Sequence, residues 1–546
     1  MRGARGLTLL LVSLLLLPGP SASAQMARQV LLLLIPGLTY QEALSQPTLR
    51  ELARTGGVAL LTAEDGRPLE TEEEIDEASV DVAPGRLVTI LFPGTAAPEI
   101  DAGVRALLQG AGSEEILVLI AAAPAEAGRV APLILARGAP QELLEGEGPP
   151  RGLTSDTTRR PGIVAEVDLA PTILSFLGEP IPEGITGSPI RVEGEAPTAL
   201  HERYVEYRTV VVPVGLAVLL FALAALVAGL VILFWPGAPA RLAGAVAVWG
   251  LVGISFHVAL LPGSWLPSFE PAAVVTAILV IGLAVAAVAL WSRRWSPVAP
   301  VTVVAGTGLA LVAVDAALGW PALLTPLLGG SALDGVRFFG LGNSYAGLVL
   351  AGAVLVAAVL RPPAGVALLV AAALFAGLPF LGADVGGALT LFVVAALWWA
   401  LRVRGRLGPV EVAVTAAVAG AGVGILIVTH RLWPVSAHLT TAVSEGALGA
   451  FGHRLVLNYD ATSATPAVWP ALVMIPVAFL VAWRRWGPFA APLRARPSWR
   501  DAVVVLAAGA MAGWLLNDTF GTASVAFVYL AAALVYPALE ARWRSA

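Results

Sequence analysis

The stretch Val210-Val-Val-Pro-Val-Gly-Leu-Ala-Val-Leu-Leu-Phe-Ala-Leu-Ala-Ala-Leu-Val-Ala-Gly-Leu-Val-Ile-Leu-Phe-Trp235 runs without a single charge. A helix rises 1.5 Å per residue, so about 20 such residues cross a hydrocarbon layer roughly 30 Å thick. Toward the C-terminus, further apolar runs of similar length follow, separated by short turns. They are Leu242 to Leu261, Ala272 to Trp291, Val298 to Leu324, Ser344 to Leu360, Gly365 to Leu381, Gly386 to Leu401, Pro409 to Thr429, Pro466 to Trp483, Ala502 to Leu516 and Thr522 to Leu539. Residues 209–546 therefore read as an all-α polytopic membrane domain of about eleven transmembrane helices. Composition agrees: 57% of residues are hydrophobic and 13% charged, with a mean hydropathy of +0.81, an apolar excess that must face lipid.

Toward the N-terminus the pattern changes. Residues 1–24 carry Arg2 and Arg5, the apolar run Leu7 to Leu17, and Ala22-Ser23-Ala24 before Gln25, the three parts of a cleavable signal peptide. Whether cleaved or kept as a first membrane helix, this segment exports the domain C-terminal to it. Residues 25–208 read as an α/β domain, with strands at Val30 to Ile35, Arg86 to Phe92, Ile116 to Ala121 and Pro132 to Ala136 and a helix at Thr48 to Arg54. Glu64 to Asp81 is an acidic, solvated loop without the His or Gly-turn framework of a metal site.

The charge distribution sets the orientation. Residues 25–208 hold 28 acids against 14 arginines, residues 209–546 hold 10 against 17, and lysine is absent. An acidic exported domain argues against nucleic acid as a partner, and without lysine no Gly-x4-Gly-Lys-Ser/Thr phosphate loop exists. With the first domain outside, the inside loops hold Arg241, Arg293, Arg294, Arg361, Arg402, Arg404, Arg406, Arg484, Arg485, Arg494, Arg496, Arg500, Arg542 and Arg544. The outside loops hold Arg337, Arg431 and Arg454, the asymmetry of the positive-inside rule. The expected location is the cell membrane, with the N-terminal domain extracytoplasmic and the C-terminus cytoplasmic.

Cysteine is absent, which removes disulfides, thiolate zinc sites and a cysteine nucleophile. Val30-Leu-Leu-Leu-Leu-Ile-Pro-Gly-Leu-Thr39, followed by Pro47-Thr-Leu-Arg-Glu-Leu-Ala-Arg-Thr-Gly56, resembles the opening of the alkaline phosphatase superfamily, which includes the cofactor-independent phosphoglycerate mutases. The resemblance continues at Gly152-Leu-Thr-Ser-Asp-Thr-Thr-Arg-Arg-Pro-Gly-Ile-Val164 and Asp168-Leu-Ala-Pro-Thr-Ile-Leu174, with Leu177-Gly178 and Gly187, and covers none of the membrane part. In that superfamily the first strand ends in a metal-binding Asp-Gly and a later Ser-Asp-His-Gly adds ligands; the matching positions here are Pro36-Gly37 and Ser155-Asp156-Thr157. The resemblance thus implies a reduced, degenerate member that keeps the fold and lacks the two-metal chemistry, with no resident cofactor. A single oxygen-preferring cation at Asp156 and Asp168 is the remaining metal option, against a loop and helix-cap role for both. Ser155, Arg159 and Arg160 form a candidate anion site through hydroxyl and guanidinium donors, or a turn whose arginines pair with nearby acids.

Within the membrane domain polar groups collect at the outward ends of the helices: Arg337 and Asn343, Asp384 within Gly382-Ala-Asp-Val-Gly-Gly387, and Asn517-Asp518-Thr519. The long loop after the eighth run adds His430, Arg431, His438, Glu445, His453, Arg454 and Asn458. Glycines beside Asn or Asp at helix ends permit broken backbone around a cavity, or serve as ordinary caps. The candidate substrate-binding set is Arg337, Asn343, Asp384, His430, Arg431, His453, Arg454, Asn458, Asn517 and Asp518. Asp315, deep in the fourth run, is a candidate for proton coupling or one half of a buried pair with an arginine such as Arg337. Arg337-Phe-Phe-Gly-Leu-Gly-Asn-Ser-Tyr345 with the long His- and Arg-bearing loop is loosely similar to outward-facing polyprenyl-linked sugar ligases and polymerases. That similarity implies an anionic, lipid-linked or surface-polymer substrate. A transporter or flippase and an active metal-dependent phosphohydrolase are the competing expectations. The sequence leaves the oligomeric state open.

Overall fold

The structure, a computed structural model, describes residues 28–62, 86–92, 96–111, 115–122, 130–182, 185, 187–335, 337–432, 456, 458–459, 462–465, 468–517 and 519–545. The expected signal peptide at 1–24 and most of the acidic loop lie outside these residues. The chain divides into two units, Met1–Val205 with Ser331–Phe338, and Glu206–Gly330 with Phe339–Ala546.

The first unit is built on a mixed sheet of eight strands: β1 (Gln29–Leu34), β2 (Gly57–Thr62), β3 (Leu87–Leu91), β4 (Ile116–Ala121), β5 (Ala131–Gly138), β6 (Arg151–Thr154), β7 (Ile163–Ala165) and β8 (Arg191–Glu195). The order is β3-β1-β4-β5-β2-β6-β8, with β7 beside β2. β1 lies parallel to β3 and β4, with Val30 opposite Leu87 and Leu117. β5 runs antiparallel to β4 and β2. Val30 to Leu34 and all of β2 and β4 are buried, so these strands carry continuous apolar runs where half-exposed strands would alternate. At Gly56, before β2, a Cβ would fall 1.9 Å from the Leu135 carbonyl oxygen, so no larger residue fits.

Helices α1 (Tyr40–Ser45), α2 (Pro47–Thr55), α3 (Ala97–Gly110), α4 (Pro140–Leu143) and α5 (Leu169–Leu177) accompany the sheet. Thr39 and Glu42 cap α1 reciprocally. The start of α2 is capped from a distance: the Asp101 carboxylate of α3 accepts from the Thr48 amide at 2.8 Å, the Leu49 amide at 3.1 Å and the Thr48 hydroxyl at 2.9 Å. α5 ends at Gly178 in the left-handed conformation, φ 75°.

The remaining helices are α6 (Thr198–Phe234), α7 (Ala240–Gly263), α8 (Pro271–Ser292), α9 (Ala299–Ala317), α10 (Asn343–Ala357), α11 (Pro362–Gly377), α12 (Val385–Trp399), α13 (Pro409–Leu432), α14 (Trp469–Arg484), α15 (Ala490–Ala495), α16 (Pro497–Leu516) and α17 (Gly521–Arg544). Among the described residues, eight are long and apolar enough to cross a membrane: α6, α7, α8, α9, α12 with its extension to Arg404, α13, α16 and α17. The chain is a membrane protein on this measure. The count of eleven is met in part. Each expected apolar run contains a helix, but the run Val298 to Leu324 is an α-helix only to Ala317, where Gly319 and Pro321 follow, and α10, α11 and α14 have 15, 16 and 16 residues, about 24 Å at most at 1.5 Å per residue. α6 is also longer than expected, starting at Thr198. Burial ranks the helices: the apolar window of α17 is 72% buried and that of α6 28%. α17 is therefore central to its unit, while α6 and α8 turn Leu219, Leu223, Val280 and Leu283 outward, the arrangement lipid requires.

One end of the helical unit is closed by charge pairs. The Glu540 carboxylate of α17 lies fully buried and accepts from Arg293, after α8, and from Arg544, both at 2.6 Å. Arg402 meets Asp501 of α16 at 3.2 Å, and Arg406 meets Glu411 of α13 at 3.0 Å. Arg542 donates to the carbonyls of Ile232, Trp235, Pro236 and Ala238, capping the end of α6.

Candidate functional site

The other end of the helical unit is joined by neutral groups. Asn343 opens α10, and its Nδ2 donates to Thr519 Oγ1 at 2.7 Å. Thr522, at the start of α17, donates to the Asn343 carbonyl at 2.9 Å and accepts from Asn517 Nδ2 at 2.8 Å. Asn458 donates to the carbonyls of Asn517, at 3.2 Å, and Trp514. Thr462 donates to the Asn458 carbonyl at 2.6 Å and accepts from Trp514 Nε1 at 3.3 Å. Asp384 is the N-cap of α12, where its carboxylate accepts from the Gly387 amide at 3.1 Å. The cap and the amide network adjoin: a Cβ on Gly386 would lie 2.0 Å from Asn517 Oδ1.

The loops at this end are held in restrictive backbone shapes. Trp320 and Ala383 take left-handed conformations, φ 63° and 50°, which non-glycine residues adopt at a cost of order 1–3 kcal/mol unless their surroundings enforce it. Here they do. Trp320 Nε1 donates to the Leu381 carbonyl at 3.1 Å, and the Ala383 amide donates to Leu378 O at 3.0 Å. Gly340, φ 88°, sits so close to residue 382 that a Cβ would be 2.1 Å from the Gly382 carbonyl oxygen.

Of the expected substrate-binding residues, Asn343, Asp384, Asn458 and Asn517 thus fall in one region of the helical unit. Arg337 belongs to the α/β unit by its place in Ser331–Phe338. His430 and Arg431 end α13, and their side chains, like His453, Arg454 and Asp518, lie outside the described residues. Thr462, Trp514, Thr519 and Thr522 are additions that the structure makes to this set. Their signal in the sequence is faint, because a hydroxyl inside an apolar helix usually bonds its own backbone.

Asp315 is fully buried in α9. Its Oδ1 accepts from Trp265 Nε1 at 2.8 Å and from the Ala322 amide at 3.1 Å. Near it, Tyr207 of α6 donates to the Pro326 carbonyl at 2.9 Å and Ser264 accepts from the Leu327 amide at 2.8 Å, so side chains of α6, α7 and α9 fix the segment 320–327.

In the α/β unit the patch 154–160 is a buried turn. Ser155 Oγ accepts from the Thr158 amide at 3.3 Å, and Thr158 Oγ1 donates to the Ile163 carbonyl at 2.7 Å. Arg159 sits at φ 52°, and burial pulls its guanidinium pKa down while Asp156 opposes that fall. Arg160 Nε donates to the Phe338 carbonyl at 3.0 Å, which ties the turn to the inserted segment; Tyr204 ties the same segment through Asp334. Both carboxylates considered for a cation are engaged by the protein. Asp156 meets Arg191, which holds its carboxyl below the usual range. Asp168, fully buried, accepts from the amides of Ala165 and Ser188, both at 2.9 Å, and from the Thr157 hydroxyl. A cation there would have to displace those donors. Among the described residues no group of three or more His, Cys, Asp or Glu side chains is placed to hold a metal ion.

Chemically, the amides and hydroxyls at the neutral end of the helical unit are of the kind that match hydroxyl and phosphoryl oxygens, and they engage one another and backbone carbonyls. The buried turn in the α/β unit offers arginines already committed to protein carbonyls and acids. Compared with protein-family models, with curated proteins and with solved structures, the chain matches none.

Proposed function

We propose that this chain is a cell-envelope membrane protein that binds an anionic lipid-linked or surface-polymer substrate at the end of its helical unit carrying Asn343, Asp384 and Asn517. In this reading eleven helices cross the bilayer. The α/β domain is extracytoplasmic, a reduced alkaline-phosphatase-like module that recognises or regulates without metal chemistry. The observation that carries it is the gathering of Asn343, Asp384, Asn458 and Asn517 at helix ends, at the end of the unit where the charge pairs of Glu540, Asp501 and Glu411 are not found. Polar groups in membrane proteins concentrate where a function uses them. The test is native mass spectrometry of the detergent-purified full-length protein beside Asn343→Ala and Asn517→Ala. Polyprenyl phosphate retained by wild type and lost by both variants is the expected result; equal retention in all three overturns the outer-face site.

A transporter or flippase is the second reading, favoured by one observation: Asp315 lies fully buried within α9. Transport in proteoliposomes that survives Asp315→Asn unchanged would remove this alternative.

A further inference from the structure

At the charge-paired end of the helical unit, the acids are consumed by particular arginines. Glu540 takes Arg293 and Arg544, Asp501 takes Arg402 and Arg500, and Glu411 takes Arg404 and Arg406. Several arginines of this end take none of these acids, Arg361 and Arg484 among them. Arg241 and Arg294 are two of these, both exposed and neither with an acidic partner among the described residues. Arg241 lies in the first turn of α7. One turn further, Gly244 packs on the Trp543 ring, where a Cβ would come within 2.6 Å. The same ring carries the guanidinium of Arg293, 3.4 Å from its centroid, so the start of α7 and the end of α8 both meet Trp543.

Arg294 is fixed by aromatics. Its guanidinium lies 3.5 Å from the Trp291 centroid and 5.3 Å from that of Trp295. The two rings meet edge to face at 4.7 Å and are 54% and 62% exposed. Stacking on indole holds a guanidinium in place while leaving its N–H edge open to an anion. Directly along α8 from this pair runs an outward apolar face of Val288, Leu283 and Val280. A fixed cation with an indole belt above an exposed apolar stripe matches an amphiphile with an anionic head and an acyl tail, a fit that a free phosphate ion cannot complete.

We infer that Arg241 and Arg294, with Trp291 and Trp295, form a binding site for the headgroup of an anionic phospholipid whose chains lie along α8. This site stands apart from the substrate reading above and does not depend on it. Native mass spectrometry of the full-length protein, titrated separately with dioleoyl phosphatidylglycerol, dioleoyl phosphatidylcholine and inorganic phosphate, tests it. Wild type should bind phosphatidylglycerol in preference to phosphatidylcholine. Arg294→Gln should weaken phosphatidylglycerol binding about fivefold and Arg241→Gln/Arg294→Gln about 25-fold, at roughly fivefold per arginine near an anionic surface. Arg151→Gln, exposed in the α/β unit, should leave binding unchanged. Because neither arginine closes an ion pair with an acid among the described residues and the Arg294 stack on Trp291 and Trp295 is exposed, the double variant should unfold close to the wild-type midpoint. Equal binding of the two lipids, phosphatidylglycerol binding unchanged in the double variant, or its displacement by millimolar phosphate would each overturn the assignment.

Discussion

The two ends of the helical unit are fastened by different chemistry. At one, Arg293, Arg402, Arg406 and Arg544 close on Glu540, Asp501 and Glu411. At the other, Asn343, Asn458, Asn517, Thr519 and Thr522 do the joining with neutral donors and acceptors. An ion pair is tolerated where headgroups and water share its field, whereas a charge held at the centre of a membrane-spanning helix costs about 2.5–3.5 kcal/mol on the insertion scale. The amides and hydroxyls that join the other end carry no charge.

If that contrast is right, mutations at the two ends should differ in size. The largest effect is expected from Arg293→Ala/Arg544→Ala, which leaves the buried Glu540 carboxylate without its partners. Stripping the partners from a buried charge costs about 3–5 kcal/mol, readable as a lowered unfolding midpoint of the full-length protein in detergent. A loss below about 1 kcal/mol would show that the triad does not fasten α8 to α17.

Gly386→Ala comes next. Helix propensity alone favours alanine by about 1 kcal/mol, but the added carbon meets Asn517 Oδ1 at 2.0 Å and Leu516 O at 2.6 Å. Overpacking of about 1–3 kcal/mol should win. Gly110→Ala, with nothing within 4 Å of the new carbon, is the matched control, and equal midpoints for the two variants would contradict the close packing. Asn517→Ala removes one bond to Thr522 and should cost about 1 kcal/mol, less than the double arginine variant if neutral fastenings are individually weak.

The smallest effect lies outside both ends, at Asp156–Arg191 in the α/β unit. Arg191 lowers the Asp156 pKa from its ordinary 3.8. The pair's contribution is therefore complete above that value and is lost as pH falls through the lowered one. Both side chains are more than half exposed, so the gain is below about 1 kcal/mol. Comparing Arg191→Ala with wild type across the acid limb of a stability curve should show a slightly gentler loss in the variant; parallel limbs would mean the pair contributes nothing.

The helices are legible in the sequence because a twenty-residue apolar run has few alternatives, and each expected run contains a helix in the structure. Their ends are less so. α6 begins at Thr198 because His201, Tyr204 and Tyr207 recur at three-residue spacing and are buried, a helical stripe that the charges between them disguise. β2, β6, β7 and β8 are harder to see: three of them have five residues or fewer, and β6 and β8 contain Gly152 and Gly194, which carry no side-chain period. In the candidate region Asn343, Asp384 and Asn517 stand out as polar residues at helix ends. Their partners Thr519 and Thr522 do not, since nothing local marks which distant hydroxyl an amide will meet. The same holds for Asp315, whose donors are an indole from beyond α7 and the Ala322 backbone amide.

The pairing of Arg293 with Glu540 spans 247 residues. At a synthesis rate of about 5–20 residues per second, the arginine emerges roughly 12–50 s before its carboxylate exists. During that interval the α8 terminus has neither its acid nor the Trp543 ring to rest on, so the bundle stays unclosed until its last helix arrives. A chain stopped short of α17 would lack both Glu540 and the Trp543 ring, leaving Arg293 without the two groups that hold it in the complete fold.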